Sequence, residues 1–171
     1  SFIIGLIIAI PLSIFLYETR YSKKLYIIRF ILNAVVNIIR SIPFLIFIVV
    51  VMPLSYYLIG TSFGSQASKV PLSLIAFALI TKTTEQSLQT IPSELTKTAY
   101  VLGASKFQMY KDFYIIEIRP HYILGLTQTL ISILSYSSVM GAIAGGGLGD
   151  LAIRYGYQEY HPKLMIIVLI I

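Results

Sequence analysis

The chain has 171 residues, of which 57% are hydrophobic and only 12% charged, and its formal net charge is +6. Soluble domains carry about 25% charged residues, so this apolar excess, with a mean hydropathy of +0.83, is more than one soluble core can bury and points to the bilayer as solvent. Cysteine is absent, which excludes disulfides and thiolate metal sites. The basic residues are spread over separate loops and form no nucleic-acid footprint, so no nucleic acid is expected as a partner.

In chain order the apolar runs predict an all-α membrane protein, a single transmembrane domain over 1–171 with five spans. The first, 1–18, is slightly short for the ~20 residues that cross a bilayer. Over 24–40, Leu25, Ile28, Ile31, Leu32 and Val35 recur at helical spacing opposite Arg29, Asn33, Asn37 and Arg40. That pattern fits a helix along the membrane face or an N-terminal extension of span two. Span two, 41–59, holds Pro43 and Pro53, which membrane helices tolerate when neighbours satisfy the freed carbonyls. Span three, 70–90, becomes polar at Lys82 and Glu85 and is expected to leave the membrane near Thr90. Span four, 117–144, has an apolar stretch that reaches about 38 Å at about 1.5 Å per residue, beyond a hydrocarbon core of about 30 Å. Span five begins at 163 and runs to 171. Ser1 and Ile171 both lie inside apolar runs, so both ends are expected to continue in a longer chain.

Arg20, Lys23, Lys24, Arg29 and Arg40 follow span one, and Lys82, Lys97, Lys106, Lys111 and Arg119 fall between spans three and four. The alternate side holds Lys69, Arg154 and Lys163. Ten against three is a positive-inside bias. It puts a hairpin over 91–115 in the cytoplasm and a loop over 145–162 outside.

The hairpin has its own punctuation. Pro92 can stand in the first turn of a helix, with Leu95, Ala99 and Leu102 on one face. Gly103 can supply the left-handed residue that ends it. Ser105 and Gln108 then form a capping box, and Phe107, Tyr110 and Phe113 or Tyr114 form the apolar face of a second helix. The small residues Gly103, Ala104 and Ser105 leave room at the bend for another protein. An ordinary loop between spans has the same composition, and spacing alone does not separate the two.

The glycines of 144–149 are followed by Asp150, not by the Gly-Lys-Ser/Thr of a phosphate-binding loop, and a nucleotide site is excluded. They form either a tight helix exit or a loop at a translocation mouth, with Asp150, Arg154 and Glu159 facing a binding protein. In span four Gln128, Ser132, Ser135 and Val139 share a face, with Tyr136 beside it. This stripe either lines a path for a zwitterionic amino acid, with Val139 and Met140 near an apolar gate, or packs helices through hydroxyls. Glu85 is either an ion pair or helix cap that positions the hairpin, or simply solvated. His121 and His161 lack ligand spacing, so no metal site is expected. A membrane-embedded enzyme using Asp150 or Glu117 would need convergent acids, and no catalysis by this chain is expected.

The segment 95–105 resembles the cytoplasmic coupling loop of binding-protein-dependent ATP-binding-cassette importers. The family pattern, Glu-Ala-Ala, three residues, then Gly, falls on Lys97, Thr98, Ala99 and Gly103. Ala99 and Gly103 match, Lys97 reverses the charge and Thr98 enlarges an alanine. Ile116 stands where the family often has proline, while Glu117 and Pro120 follow the methionine-type pattern. Arg40-Ser41-Ile42-Pro43-Phe44, Gly60-Thr61-Ser62 and the run from Gly145 through Asp150 and Arg154 to Tyr157 are similar to the methionine-import permeases. The resemblance runs from about 40 to 160. It implies a homodimer of five-span permeases in a bacterial inner, cytoplasmic membrane. It further implies docking on a cytoplasmic ATPase dimer, which holds the ATP and Mg, so no cofactor in this chain, and an extracytoplasmic substrate-binding protein. It assigns ATPase coupling to Lys97, Thr98, Ala99, Gly103, Ala104 and Ser105, and the gate to 136–140. Methionine rests on the resemblance alone; an importer of the same architecture for another small solute is the alternative.

Overall fold

The computed structural model describes residues 2–141, 146 and 148–170, and every regular element among them is helical. The first helix, α1 (Phe2–Glu18), runs into a short 3-10 turn, Thr19–Tyr21. It is followed by α2 (Tyr26–Ser41), α3 (Phe44–Ile59), the single turn α4 (Gly64–Ala67) and α5 (Lys69–Gln89).

Helix α5 is the centre of the bundle, with α1, α2, α3 and the later helix α8 (Ile115–Met140) all packed against it. Its least obvious feature is polarity. Thr81, Thr84, Glu85 and Ser87 are buried, although a hydrophobic pattern predicts the polar end of this helix to be solvated. The hydroxyls resolve the conflict by donating back to the carbonyls one turn earlier. Thr81 bonds Phe77 at 2.7 Å, Thr84 bonds Ile80 at 2.8 Å and Ser87 bonds Thr83 at 2.9 Å. A hydroxyl satisfied within its own helix can be buried without an unpaired polar atom.

Helix α1 lies against α5 on a stripe of small residues, Gly5, Ala9 and Ser13, with Leu16 beyond. The approach is backbone to backbone: a Cβ on Gly5 would stand 2.9 Å from the Phe77 nitrogen. Ser13 donates to Ala9 O at 2.6 Å and across the interface to Thr81 O at 3.0 Å. Small residues that bring helix backbones together are how apolar helices associate where burial of oil in oil gives no drive.

Helices α2 and α3 meet at an angle of 116°. The residue before a proline is pushed out of the helical region, and Ile42 accordingly sits at ψ 128 before Pro43, which caps α3. The 24–40 segment is therefore not a straight extension of the next helix.

The second half begins with α6 (Ser93–Val101) and, after a bend, α7 (Lys106–Gln108). From there a π-helical segment, Met109–Tyr114, leads into α8 (Ile115–Met140). The run Lys106–Met140 is one 35-residue helix, so the second arm of the hairpin and the expected fourth span are a single element, joined through π-wound turns and not by a break near 115. By length and composition it is, among the described residues, the one helix able to cross a membrane unaided. Helices α2 and α3 pass that test only as a bent pair, and α1 is apolar but shorter.

Beyond α8, residues 142–145 and 147, which hold much of the glycine-rich run expected as a helix exit or a loop at a translocation mouth, lie outside the described residues. The segment expected as a loop is largely helical: α9 (Leu148–Asp150) continues into a π-helical stretch, Leu151–Gln158, and α10 (Pro162–Ile170) packs back on it.

Candidate functional site

The hairpin is built by caps. Gly103 has φ +71. The Ala104 N–H donates to Ala99 O and the Gly103 N–H to Tyr100 O, each at 3.0 Å, the paired bonds of a Schellman stop. The next arm opens on the predicted capping box, with Ser105 N–H donating to Gln108 Oε1 at 2.9 Å and Gln108 N–H to Ser105 Oγ at 3.4 Å. Helix, glycine turn and helix thus follow from local chemistry.

The faces differ in part from the periodic expectation. Ala99 is fully buried among Tyr17, Leu88, Ile91, Met109, Tyr114 and Ile118, with Leu95 and Ala104 packed beside it. Its small side chain fits the bundle, so it touches no surface partner directly. Lys97, Thr98, Gly103 and Ser105 are exposed. Leu102 and Phe107, placed by spacing on one face with Ala99 and with Tyr110 respectively, are exposed together with Tyr100 and Val101. The bend therefore carries an exposed apolar crest in which Val101 is 87% accessible. Beside it Glu94 is held below the usual carboxylate range by a backbone hydrogen bond, then by the Ser93 hydroxyl, with Lys97 adding to the effect.

Long-range contacts tie this hairpin to the end of α1. Tyr110 donates its hydroxyl to Glu18 Oε1 at 3.1 Å, and Lys106 Nζ stands 3.7 Å from Glu18 Oε2. Tyr114 packs edge-on against Tyr17 at 6.2 Å and shares a 3.0 Å hydrogen bond with Thr96, while the Arg20 guanidinium lies 4.3 Å over the Tyr17 ring. Burial and the neighbouring Glu18 carboxylate push the Tyr110 hydroxyl well above the ordinary phenol range. Sequence reasoning missed Glu18, Tyr17 and Tyr114 as a unit; the available signal was a Tyr-Glu pair closing an apolar helix.

Glu85 is 2% exposed. It binds Lys82 at 2.7 Å and accepts from Gln89 Nε2 at 3.3 Å, both on its own helix, so it is buried and ion-paired and not simply solvated.

Along α8 the stripe lies on an open side of the subunit. Gln128 and Ser135 are exposed, Ser132, Tyr136 and Val139 half-buried, and Met140 buried. Ser132 and Ser135 donate to Gln128 O at 2.9 Å and Ile131 O at 3.1 Å. The inward face is carried instead by Thr129, which meets Thr83 of α5 at 3.1 Å. Tyr136 packs on Phe44 of α3, centroids 4.5 Å apart. Met140, Ser65, Ser68 and Ser137 line a cavity of about 300 Å³ at one end of the stripe.

Asp150 and Arg154 pair along one helix at 3.6 Å. Glu159 is exposed, and its N–H donates to Arg154 O at 3.1 Å. Among the described residues no cluster of three or more His, Asp or Glu could hold a metal ion. Glu117, His121 and His161 are each exposed.

The family model for the binding-protein-dependent transport system inner membrane component matches residues 2–171. The probable D-methionine transport system permease protein MetI of Haemophilus influenzae is 36% identical, covering 100% of this chain and 81% of that protein. The corresponding protein of Vibrio cholerae is 34% identical, over 98% of this chain and 75% of that one. A solved inward-facing structure of the MetNI methionine ABC transporter superposes with a TM-score of 0.88 at 36% identity, covering 99% of this chain and 80% of that chain. An amino acid ABC transporter crystallised with histidines shares the fold, with a TM-score of 0.71 at 13% identity over 98% of this chain and 78% of that chain.

Proposed function

Since the chain belongs to the family of binding-protein-dependent transport system inner membrane components, we propose that it is the permease subunit of an ATP-driven methionine importer, moved by a separate ATPase that grips the hairpin over 91–115. The single observation that carries this reading is the end-to-end match to methionine permeases in sequence and in fold. The hairpin supports it, because it offers an apolar crest on a capped, rigid bend that is wired to α1 through Glu18.

In this reading two copies of the chain stand on a cytoplasmic ATPase dimer, which holds ATP and Mg, and an extracytoplasmic binding protein delivers the amino acid. The five spans are α1, α3, α5, α8 and α10. Helix α2 lies along the inner membrane face with Ile27, Ile31, Val35 and Ile38 turned outward, while Arg29 turns back and donates to Arg20 O at 2.7 Å. The charge distribution supports a cytoplasmic hairpin and an external 145–162 segment. Lys97, Thr98, Gly103 and Ser105 meet the ATPase directly, while Ala99 and Ala104 set the bend behind them. Gln128, Ser132, Ser135 and Tyr136 line the path, and Val139 and Met140 close it. Asp150, Arg154 and Glu159 face the binding protein.

The chain's part is mechanical. A push on the crest is transmitted by the Schellman turn into one long helix, Lys106–Met140, whose far end carries Val139 and Met140. The test is uptake of isotope-labelled methionine by vesicles holding the permease, its ATPase and the binding protein. ATP-dependent accumulation is expected; ATP-dependent uptake of another solute with none of methionine overturns the substrate, and no nucleotide dependence overturns the class.

A further inference from the structure

We propose that Glu18 is a positioning residue for coupling: it clasps Tyr110 at the start of the long helix, so that movement of the hairpin drives α1 and α5 together with α8. The proposal rests on the reading that an ATPase moves the hairpin, and it names the residues that carry the movement onward. Apolar packing seats the hairpin's second arm without fixing its rotation. Met109, Tyr114 and Ile118 are buried in one cluster with Tyr17 and Leu88, and contacts of that kind are non-directional. Beside them lies an apolar cleft of about 530 Å³, lined by Ile10 and Ile14 of α1, Leu88 of α5 and Tyr122 and Ile123 of α8, which leaves the arm room to move.

The arm is also wound differently where it would bend. Met109–Tyr114 is π-helical, and π-wound turns are where helices kink and where functional sites gather. Tyr110 falls within that stretch, and its hydroxyl donates to Glu18 Oε1 at 3.1 Å. A hydrogen bond is directional, so this one fixes where the π-wound turns sit against α1. The Lys106 contact at 3.7 Å, from a side chain 80% accessible, adds little, because exposed ion pairs are weak. On the receiving side α1 is stiffly joined to α5. Ser13 donates to Thr81 O at 3.0 Å, and a Cβ on Gly5 would stand 2.9 Å from the Phe77 nitrogen. Interfaces packed this closely transmit displacement. Farther along, α8 meets α5 directly, where a Cβ on Gly125 would stand 2.5 Å from Thr83 Cγ2. The π-wound turns therefore lie on a lever held at two places, Glu18 at one and Thr83 at the other.

The test compares Glu18→Ala, Glu18→Gln, Tyr110→Phe and the double variant Glu18→Ala/Tyr110→Phe in vesicles holding the permease, its ATPase and the binding protein, and reads methionine taken up per ATP hydrolysed. Glu18→Ala and Tyr110→Phe are each expected to lower that ratio about fivefold, the loss of one hydrogen bond. The double variant should be no worse than either, because both remove the same bond. Glu18→Gln, whose amide oxygen still accepts from Tyr110, should stay within about twofold of wild type. Hydrogen exchange on the purified permease–ATPase complex needs no solute, so it separates this proposal from the substrate assignment. In wild type the amides at the end of α1 and those of 109–114 should change protection together when the complex is trapped with ATP, and in Glu18→Ala only those of 109–114 should respond. Additive losses in the double variant, equal losses in Glu18→Gln and Glu18→Ala, or a wild-type α1 end that stays constant while 109–114 responds would each overturn it.

Discussion

Gly103 carries the sharpest residue-scale prediction, because its cost is purely conformational. A Cβ there meets nothing within 4 Å, yet φ is +71, a region that costs an L-residue roughly 1–2 kcal/mol. That is too little to unfold the subunit and enough to straighten the bend. Gly103→Val is expected to abolish uptake while membrane levels of the protein, read by immunoblot, stay near wild type; disappearance from the membrane would make the glycine a folding residue only. At Lys97 the family's carboxylate is replaced by a donor-only cation, but Glu94 presents an exposed carboxylate one turn earlier. Glu94→Gln should therefore impair coupling, seen as ATP hydrolysis per methionine transported, more than Lys97→Gln does; equal, negligible effects would remove both from the contact. Tyr110 gives the pH prediction. Its folded pKa is raised above the ordinary 10.0, so the stability it contributes is complete below that pH and is lost as pH rises through the higher folded value. A difference absorbance titration of wild type against Tyr110→Phe should show this phenol ionising above its usual range, and ionisation at the usual value would contradict the contact with Glu18.

At the scale of elements the α1–α5 interface leaves no spare volume, since Ala9 and Ala76 are both fully buried and Gly5 abuts the Phe77 backbone. Ala9→Leu is expected to cost about 1–3 kcal/mol by overpacking, visible as a lower melting temperature of the detergent-solubilised complex; an unchanged transition would mean that α1 is held elsewhere. What the sequence disclosed about these elements follows from the range of the interactions. The Gly103 stop and the Ser105–Gln108 box are contained within a few residues, so their chemistry was readable in place. The burial of α5 was not, because hydropathy counts Thr81, Thr84 and Ser87 as polar and cannot see hydroxyls already bonded one turn back. Leu102 and Phe107 have the spacing of inner faces, yet the bundle had already filled those positions with Ala99, Met109 and Tyr114. Pro43 reads in sequence as a proline tolerated inside a span, whereas it stands at a bend of 116° between α2 and α3. The tie from Glu18 to Tyr110 spans 92 residues, so the Tyr17-Glu18 pair that closes α1 is visible in place but its partner is not.

For the whole molecule the open side of α8 is the decisive feature. Gln128 and Ser135 are exposed on a helix that between them also exposes Leu130, Ile131 and Leu134. A carboxamide facing hydrocarbon is costly, and polar side chains in membrane helices turn toward a bundle interior or a water-filled path. One subunit supplies no such interior on this side, so a second copy must, and in a two-fold dimer each such residue near the axis faces its own counterpart. In the proposed reading the stripe and the gate then belong to the dimer and not to either chain. Cysteines at Ser135 and at Val139, introduced singly, are expected to join the two copies through a short bis-maleimide. Their labelling by a water-soluble maleimide should change between nucleotide-free complex and complex trapped with ATP, while a cysteine at Leu134 on the oily flank should not respond. Labelling that stays constant at all three positions in both states, with no dimer cross-link, would mean that the stripe packs against lipid or another helix and that the path runs elsewhere.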